Sequence, residues 1–185
     1  MEIDLLDQFS ISENKENILA YIGGYIVRQL SKSIDCISCC SAMLADDITK
    51  RNLSLISLKD KGGLIYPSED VVAILIVCEK YFHCYVRGVE GNGINSSKKL
   101  HATLFRDIVR DLSTTRPDMM LFSSLLQHDL ETHCISEDFH STQIMKAIIK
   151  LYLKMRLLRY AQKYSQDVVS SGKLGKRQQL QARSI

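Results

Sequence analysis

Two cysteines and three histidines in this chain are residue types that bind metal ions, and their spacing places them in two groups. Cys36 and Cys39 are separated by two residues, whereas His128, His133 and His140 follow much later in the chain. A Cys-x-x-Cys pair can place two thiolates on one tetrahedral Zn²⁺, and two imidazoles would complete the ligand set. We therefore predict a zinc site that joins the early part of the chain to the late part.

Other interpretations of these residues stay open on the sequence alone. Free cysteine is among the most buried residue types, so Cys36, Cys39 and Cys40 could simply be small core residues. Because Cys40 directly follows Cys39, the register of the pair is also open. Thioredoxin-like redox chemistry uses the same spacing, but it requires the pair at a strand-to-helix junction, and here the pair follows a predicted helix. Each histidine taken singly is as compatible with an ordinary exposed or core position as with a metal ligand.

The composition indicates one globular domain in a reducing compartment. A chain of 185 residues with 45% hydrophobic and 24% charged residues can form a core, and this composition disfavours wholesale disorder. Six cysteines without a secretion signal favour a soluble intracellular protein over a disulfide framework. The longest apolar run, Val71–Cys78, is far shorter than the roughly 20 residues that span a bilayer. We therefore expect no membrane association.

The spacing of apolar residues predicts a mainly α-helical single domain, with at most one short β-hairpin near residues 53–66. A first helix begins at Ser12 or Asn14, and others cover residues 69–87, 97–112, 118–126 and 136–164, with a short one over 41–46. Helix 69–87 is apolar nearly all round and is predicted to be central. Gly23 and Gly24 interrupt the first helix, which indicates a kink or the close approach of another backbone. Residues 1–13 are predicted as a flexible N-terminus, 14–165 as the helical domain, and 166–185 as a basic disordered tail.

The predicted last helix is strongly basic. Its cations are Lys146, Lys150, Lys154, Arg156, Arg159 and Lys163. The lysines are four residues apart and share one helix face, a pattern typical both of polyphosphate binding and of an ordinary solvated surface. The same helix offers an alternative function in protein association, because a heptad-spaced apolar seam runs along it. The seam consists of Ile144, Ile148, Leu151, Met155 and Leu158.

No catalytic constellation is recognisable in the sequence. The chain has no G-x-S-x-G, no phosphate-binding glycine loop and no H-E-x-x-H. Acidic pairs such as Glu69-Asp70 lie at predicted helix starts, where they serve as caps rather than as metal-binding carboxylates. We therefore predict that the chain is not an enzyme.

Several motifs follow one another in a specific order along residues 17–164. They are Tyr21-Ile-Gly-Gly24-Tyr-Ile-Val-Arg28, Cys36-x-x-Cys39, Gly62-Gly63-Leu64-Ile65-Tyr66-Pro67-Ser68, the pair His128 and His140, and Tyr152-Leu-Lys-Met-Arg156-Leu157. In this order they resemble the C-terminal region of P-element-like DNA transposases, which include the THAP-domain-containing transposases of animals. Each motif is weak alone, and their combined order and spacing carry the resemblance.

The resemblance implies a zinc-stapled domain whose ligands are Cys36, Cys39, His128 and His140, with His133 as the substitute for His128. It implies a nuclear protein whose partners are transposon-end DNA or other transposase subunits, including further copies of itself. The catalytic acids of the family lie upstream of the matched region, so the resemblance implies an accessory domain without catalytic activity. A protein-interaction module or a non-functional transposon remnant is the alternative.

Overall fold

The described residues form five α-helices. The computed structural model describes residues 12–46, 65–89, 97–115, 121–123, 125 and 140–182. The helices are α1 (Glu13–Leu30), α2 (Ile37–Ala42), α3 (Glu69–Val89), α4 (Ser97–Arg110), which a π-helical turn (Asp111–Thr115) extends, and α5 (His140–Ala182). Across these ranges the only β-type pairing is an isolated antiparallel bridge between Leu44 and Pro67. The mainly helical prediction is confirmed, whereas the predicted hairpin and the predicted helix 118–126 lie mostly outside the described residues.

The chain divides into two compact units, Met1–Leu153 and Lys154–Ile185. In the second unit the backbone is helical through Ala182, where the sequence predicts a disordered tail from residue 166. Lys, Arg, Gln and Leu favour the helix there, and no proline interrupts it, so Gly172 and Gly175 are tolerated. The domain boundaries predicted from the sequence, at residues 13/14 and 165/166, stay a prediction. None of the described helices combines the length and apolarity needed to cross a membrane.

Helices α1 and α3 pack together in the core of the first unit. Helix α1 begins at the predicted cap, because the Ser12 carbonyl accepts hydrogen bonds from the backbone N–H groups of Lys15 and Glu16. Among the helices that the structure describes, α3 is the most buried, as predicted, since apolar residues occur nearly all round it. Its fully buried side chains are Val71, Ile74, Leu75 and Cys78.

The glycine pair of α1 marks the close backbone approach that the sequence predicts. A Cβ atom at Gly24 would lie 2.1 Å from the carbonyl oxygen of Ile65, which leaves no room for any side chain. A Cβ atom at Gly23 would lie 3.2 Å from side-chain atoms of both Pro67 and Leu75. The helix therefore accepts the entropic disadvantage of two glycines because the segment before α3 passes directly over it.

That segment, residues 65–68, also pairs with the chain that leaves α2. The backbone N–H of Ala45 donates to the Tyr66 carbonyl at 2.9 Å, and the N–H of Ser68 donates to the Met43 carbonyl at 2.9 Å. The exit of α2 is thus fixed against α1 and α3. This pairing holds the cysteine turn at the start of α2 in one position.

A buried carboxylate joins three helices of the first unit. Glu79 of α3 is 4% exposed, and its Oε1 atom lies 3.2 Å from Nζ of Lys15 in α1. The hydroxyl of Tyr152, in α5 and 1% exposed, donates to Oε2 of Glu79 at 2.5 Å. A buried carboxylate requires such partners, since an unpaired one would be strongly unfavourable.

A second carboxylate joins α3 to α4. Asp107 accepts a hydrogen bond from the Tyr85 hydroxyl and forms an ion pair with Arg106, at 3.1 Å. Burial raises the pKa of Asp107, but the hydrogen bond from Tyr85 and the charges of Arg106 and Arg110 outweigh burial and hold that pKa below its usual value. The carboxylate is therefore ionised at neutral pH.

Candidate metal centre

Helix α2 begins with the cysteine pair. Cys36 is the N-cap of the helix, and its Sγ atom accepts a hydrogen bond from the backbone N–H of Cys39 at 3.3 Å. The helix ends at Ala42 because the next residues pair with segment 65–68. The prediction of a short helix over residues 41–46 is therefore wrong. Compared with the predicted range, α2 begins earlier because the Cys36 sulfur caps it, and it ends earlier because the following residues pair with segment 65–68.

The fold brings Cys36, Cys39 and His140 together. The two sulfur atoms and an imidazole nitrogen all lie within 4.8 Å of one another. Cys39 is 2% exposed, whereas Cys36 and His140 are half-buried. His140 is the first residue of α5, so this cluster links the start of α2 to the start of the last helix. Two predicted ligands, His128 and His133, lie outside the described residues.

The remaining cysteines of the described chain have other surroundings. The Cys40 thiol donates to the Ile34 carbonyl, with sulfur and oxygen 3.6 Å apart, and Cys40 is not part of the cluster. The sequence left open whether Cys39 or Cys40 pairs with Cys36, and the cluster contains Cys36 with Cys39. Burial, and then the neighbouring charge of Glu79, raises the pKa of the Cys78 thiol, so Cys78 remains a neutral core residue.

The donor set and its spacing fit a zinc ion. In a tetrahedral site with Zn–S near 2.3 Å and Zn–N near 2.0–2.1 Å, the ligand atoms lie roughly 3.6–3.8 Å apart. Atoms that are already within 4.8 Å reach these separations by small side-chain rotations. Two thiolates and one imidazole favour Zn²⁺ over the oxygen-preferring Mg²⁺ and Ca²⁺. The described ligands leave one position of the tetrahedron for a further residue.

An open cavity of about 270 Å³ adjoins the cluster. Its lining residues are Ile34, Asp35, Cys36, Cys39, His140, Gln143, Ile144 and Ala147. Sequence reasoning missed the polar pair Asp35 and Gln143, which are both exposed at this cavity. Their spacing contained a signal, because Asp35 precedes Cys36 and Gln143 lies one helical turn after His140.

The predicted nucleic-acid-binding residues occupy both units. In the first unit, Lys150 is exposed and Lys146 is half-buried. In the second unit, Lys154 and Arg159 are exposed and Arg156 is half-buried, while the side chain of Lys163 lies outside the described part of the chain. Lysines in steps of four share one face of a helix, as the sequence predicts for α5.

The first half of the apolar seam predicted on α5 is buried. Ile144 and Ile148 are buried in the core of the first unit. In the second unit Leu158 is 56% exposed. The seam is therefore wrong as an oligomerisation surface over its first half, because its heptad spacing there reflects the face of α5 that packs inside its own domain.

Comparison with known proteins shows the family. Residues 10–162 match the C-terminal domain of DNA transposase THAP9. The chain belongs to the THAP9 C-terminal domain family. It is 28% identical over 155 residues to human DNA transposase THAP9, an alignment that covers 82% of this chain and 16% of the relative. No solved structure matches the chain.

The motifs that predicted this relationship have structural roles in the THAP9 C-terminal domain. Gly24 of the first motif lies against the carbonyl of Ile65 in the third, where no side chain would fit. Tyr152 of the last motif donates to buried Glu79. The predicted relationship to transposases is confirmed, and the chain spans 16% of the length of the relative that it matches.

Proposed function

We propose that this THAP9 C-terminal domain is a non-catalytic accessory domain of a transposase, stabilised by a structural Zn²⁺ and binding nucleic acid. The observation that carries the proposal is the juxtaposition of Cys36, Cys39 and His140 within 4.8 Å. His128 is the proposed fourth ligand, and His133 is the alternative. A site with four protein ligands has no open position for substrate, so it stabilises the fold and does not catalyse a reaction.

When bound, the ion supplies a cross-link between the N-terminus of α2 and the N-terminus of α5. Cys36 and Cys39 hold one end of this link through two sulfurs carried on a single helical turn. His140 holds the other end at the first residue of α5. The start of α5 is thereby fixed relative to the helical core of the first unit.

The proposed partner is DNA at transposon ends, within a nuclear assembly of transposase subunits. The support is the exposed cations Lys150, Lys154 and Arg159 on α5, together with the similarity to a human protein named as a DNA transposase. Cations at a surface bind the phosphate backbone by releasing condensed counterions, a mode that needs no catalytic group.

Metal analysis tests the zinc site. The full chain purified without added zinc is expected to contain about one equivalent of zinc, as a single tetrahedral structural site requires. Cys39→Ser and His140→Ala should lose this zinc. Cys40→Ser is the matched control and should retain it, since the Cys40 thiol faces the Ile34 carbonyl. A wild-type chain that neither carries zinc nor takes it up from solution would refute the site.

Fluorescence anisotropy with duplex DNA tests the nucleic-acid proposal. Affinity is expected to fall steeply with salt, and charge reversal at Lys146, Lys150 or Lys154 should each lower the salt slope by about one. Lys32→Glu changes the net charge equally at an exposed site beyond α1 and serves as the control. Salt-insensitive binding, no binding at low salt, or an equal loss with Lys32→Glu would each contradict the proposal.

A further inference from the structure

The two cysteines of the cluster differ in their exposure to solvent. Both line the open cavity, but Cys36 is half-buried, whereas Cys39 is 2% exposed. The cavity also exposes Asp35 and Gln143, so a small polar molecule can reach the Cys36 sulfur from solvent. Access of this kind decides which cysteine reacts with an oxidant, because buried thiols are inert.

The same two sulfurs are placed for disulfide formation. Cys36 caps α2 and Cys39 lies on its first turn, and the Cys36 sulfur accepts a hydrogen bond from the backbone N–H of Cys39 at 3.3 Å. A disulfide needs Cβ atoms about 3.5–4.5 Å apart. The two sulfurs already lie within 4.8 Å of each other, and side-chain rotation together with a small backbone shift at the helix start would bring them to bonding distance.

The position of Cys36 and Cys39 in the fold weakens the argument against redox chemistry that their sequence context gave. The sequence placed Cys36 and Cys39 after a helix, which argued against redox chemistry. The structure adds that the pair also begins a new helix, and Cys-x-x-Cys pairs at helix starts are found in thiol–disulfide oxidoreductases. The redox behaviour we infer needs only this local geometry.

We propose that Cys36 and Cys39 are a peroxide-sensitive dithiol, whose oxidation to a disulfide releases the zinc ion and opens the link between α2 and α5. This inference rests on the proposed zinc site. The Cys36 thiolate attacks one oxygen of hydrogen peroxide, the O–O bond breaks, and hydroxide leaves to give a sulfenic acid. The Cys39 thiolate then attacks the Cys36 sulfur, the S–O bond breaks, and a second hydroxide leaves.

In this sequence two electrons pass from the sulfurs to the peroxide, and the two hydroxides take up protons from solvent to become water. Zn²⁺ itself is not oxidised or reduced. A disulfide has no thiolate charge to offer, so the ion loses two ligands at once and dissociates. Cys78 is fully buried and Cys40 engages the Ile34 carbonyl, so neither replaces the lost thiolates.

The test begins with zinc stoichiometry on the full chain, which examines the proposed zinc site separately and before any oxidant is added. The zinc-loaded protein is then treated with hydrogen peroxide, and zinc release is followed with a chromogenic chelator. Peptide mapping by mass spectrometry should show a Cys36–Cys39 disulfide that forms in step with release, and dithiothreitol with added zinc should restore binding.

Cys40→Ser is the matched control and should release zinc within about twofold of the wild-type rate, since Cys40 does not resolve the sulfenic acid. Zinc that stays bound while other cysteines oxidise would overturn the inference and leave the zinc site standing. Zinc release that accompanies formation of sulfinic acid at Cys36, without a Cys36–Cys39 disulfide, would also overturn the inference. Absence of zinc before oxidation would overturn both the site and the switch.

Discussion

Removal of the proposed zinc ion is expected to lower the melting temperature of this THAP9 C-terminal domain by about 8–20 °C. In the chain-entropy description, a cross-link that closes a loop of roughly 100 residues removes about 4–5 kcal/mol of denatured-state entropy. The loop here runs from Cys39 to His140. For a domain of roughly 150 residues each kcal/mol corresponds to about 2–4 °C. Differential scanning calorimetry with and without a chelator measures the shift.

Variants decide whether the shift comes from the proposed ligands. Cys39→Ser should melt near the temperature of the chelated wild-type protein and should not respond further to the chelator. Cys40→Ser should respond as the wild type does. If the chelator removes the zinc but lowers the melting temperature by less than about 2 °C, the ion does not stabilise the fold, since structural zinc contributes folding free energy directly.

Glu79→Ala is expected to lower the free energy of unfolding by about 3 kcal/mol, the lower end of the range for breaking a buried charge pair. The substitution removes the acceptor of the Tyr152 hydroxyl and the partner of Lys15, and it leaves a void between three helices. The lower end applies because the Lys15 side chain is 33% exposed and solvent screens its charge. Urea denaturation measures the change.

Conservative substitutions separate the parts of this network. Glu79→Gln keeps the shape and can still accept from Tyr152, so it should destabilise less than Glu79→Ala. Tyr152→Phe in the Glu79→Ala background should add little, because the hydrogen bond is already lost. A Glu79→Ala variant within about 1 kcal/mol of wild type would show that the network does not hold the helices together.

Local sequence signals predicted the parts of the fold that local chemistry determines. The predictions that α1 begins at Ser12 or Asn14 and that α3 begins at residue 69 are confirmed, because apolar period and acids in the first turn act within a few residues. Gly23 and Gly24 predicted a close backbone contact without naming its partner. The partner, Ile65, could not be predicted because it lies in a distant segment.

Where local pattern and tertiary contact disagreed, the tertiary contact prevailed. The heptad spacing on α5 suggested an external seam, but Ile144 and Ile148 fill the interior of their own domain. Periodicity shows that a helix has an apolar face but does not identify what covers that face. Likewise, the sequence did not indicate that Glu79, a charged residue within an apolar helix, would form an ion pair with Lys15 and a hydrogen bond with Tyr152.

The sequence by itself determined the helical class, the family relationship and the residue types that can bind zinc. These depend on spacing along the chain, which is read directly from the residues. Only the tertiary structure decided that Cys36 and Cys39, and not Cys40, lie beside His140. The reason is that the pairing of residues 43–45 with 65–68 fixes the cysteine turn against a segment distant in the sequence, whereas the sulfur cap of α2 joins residues only three apart.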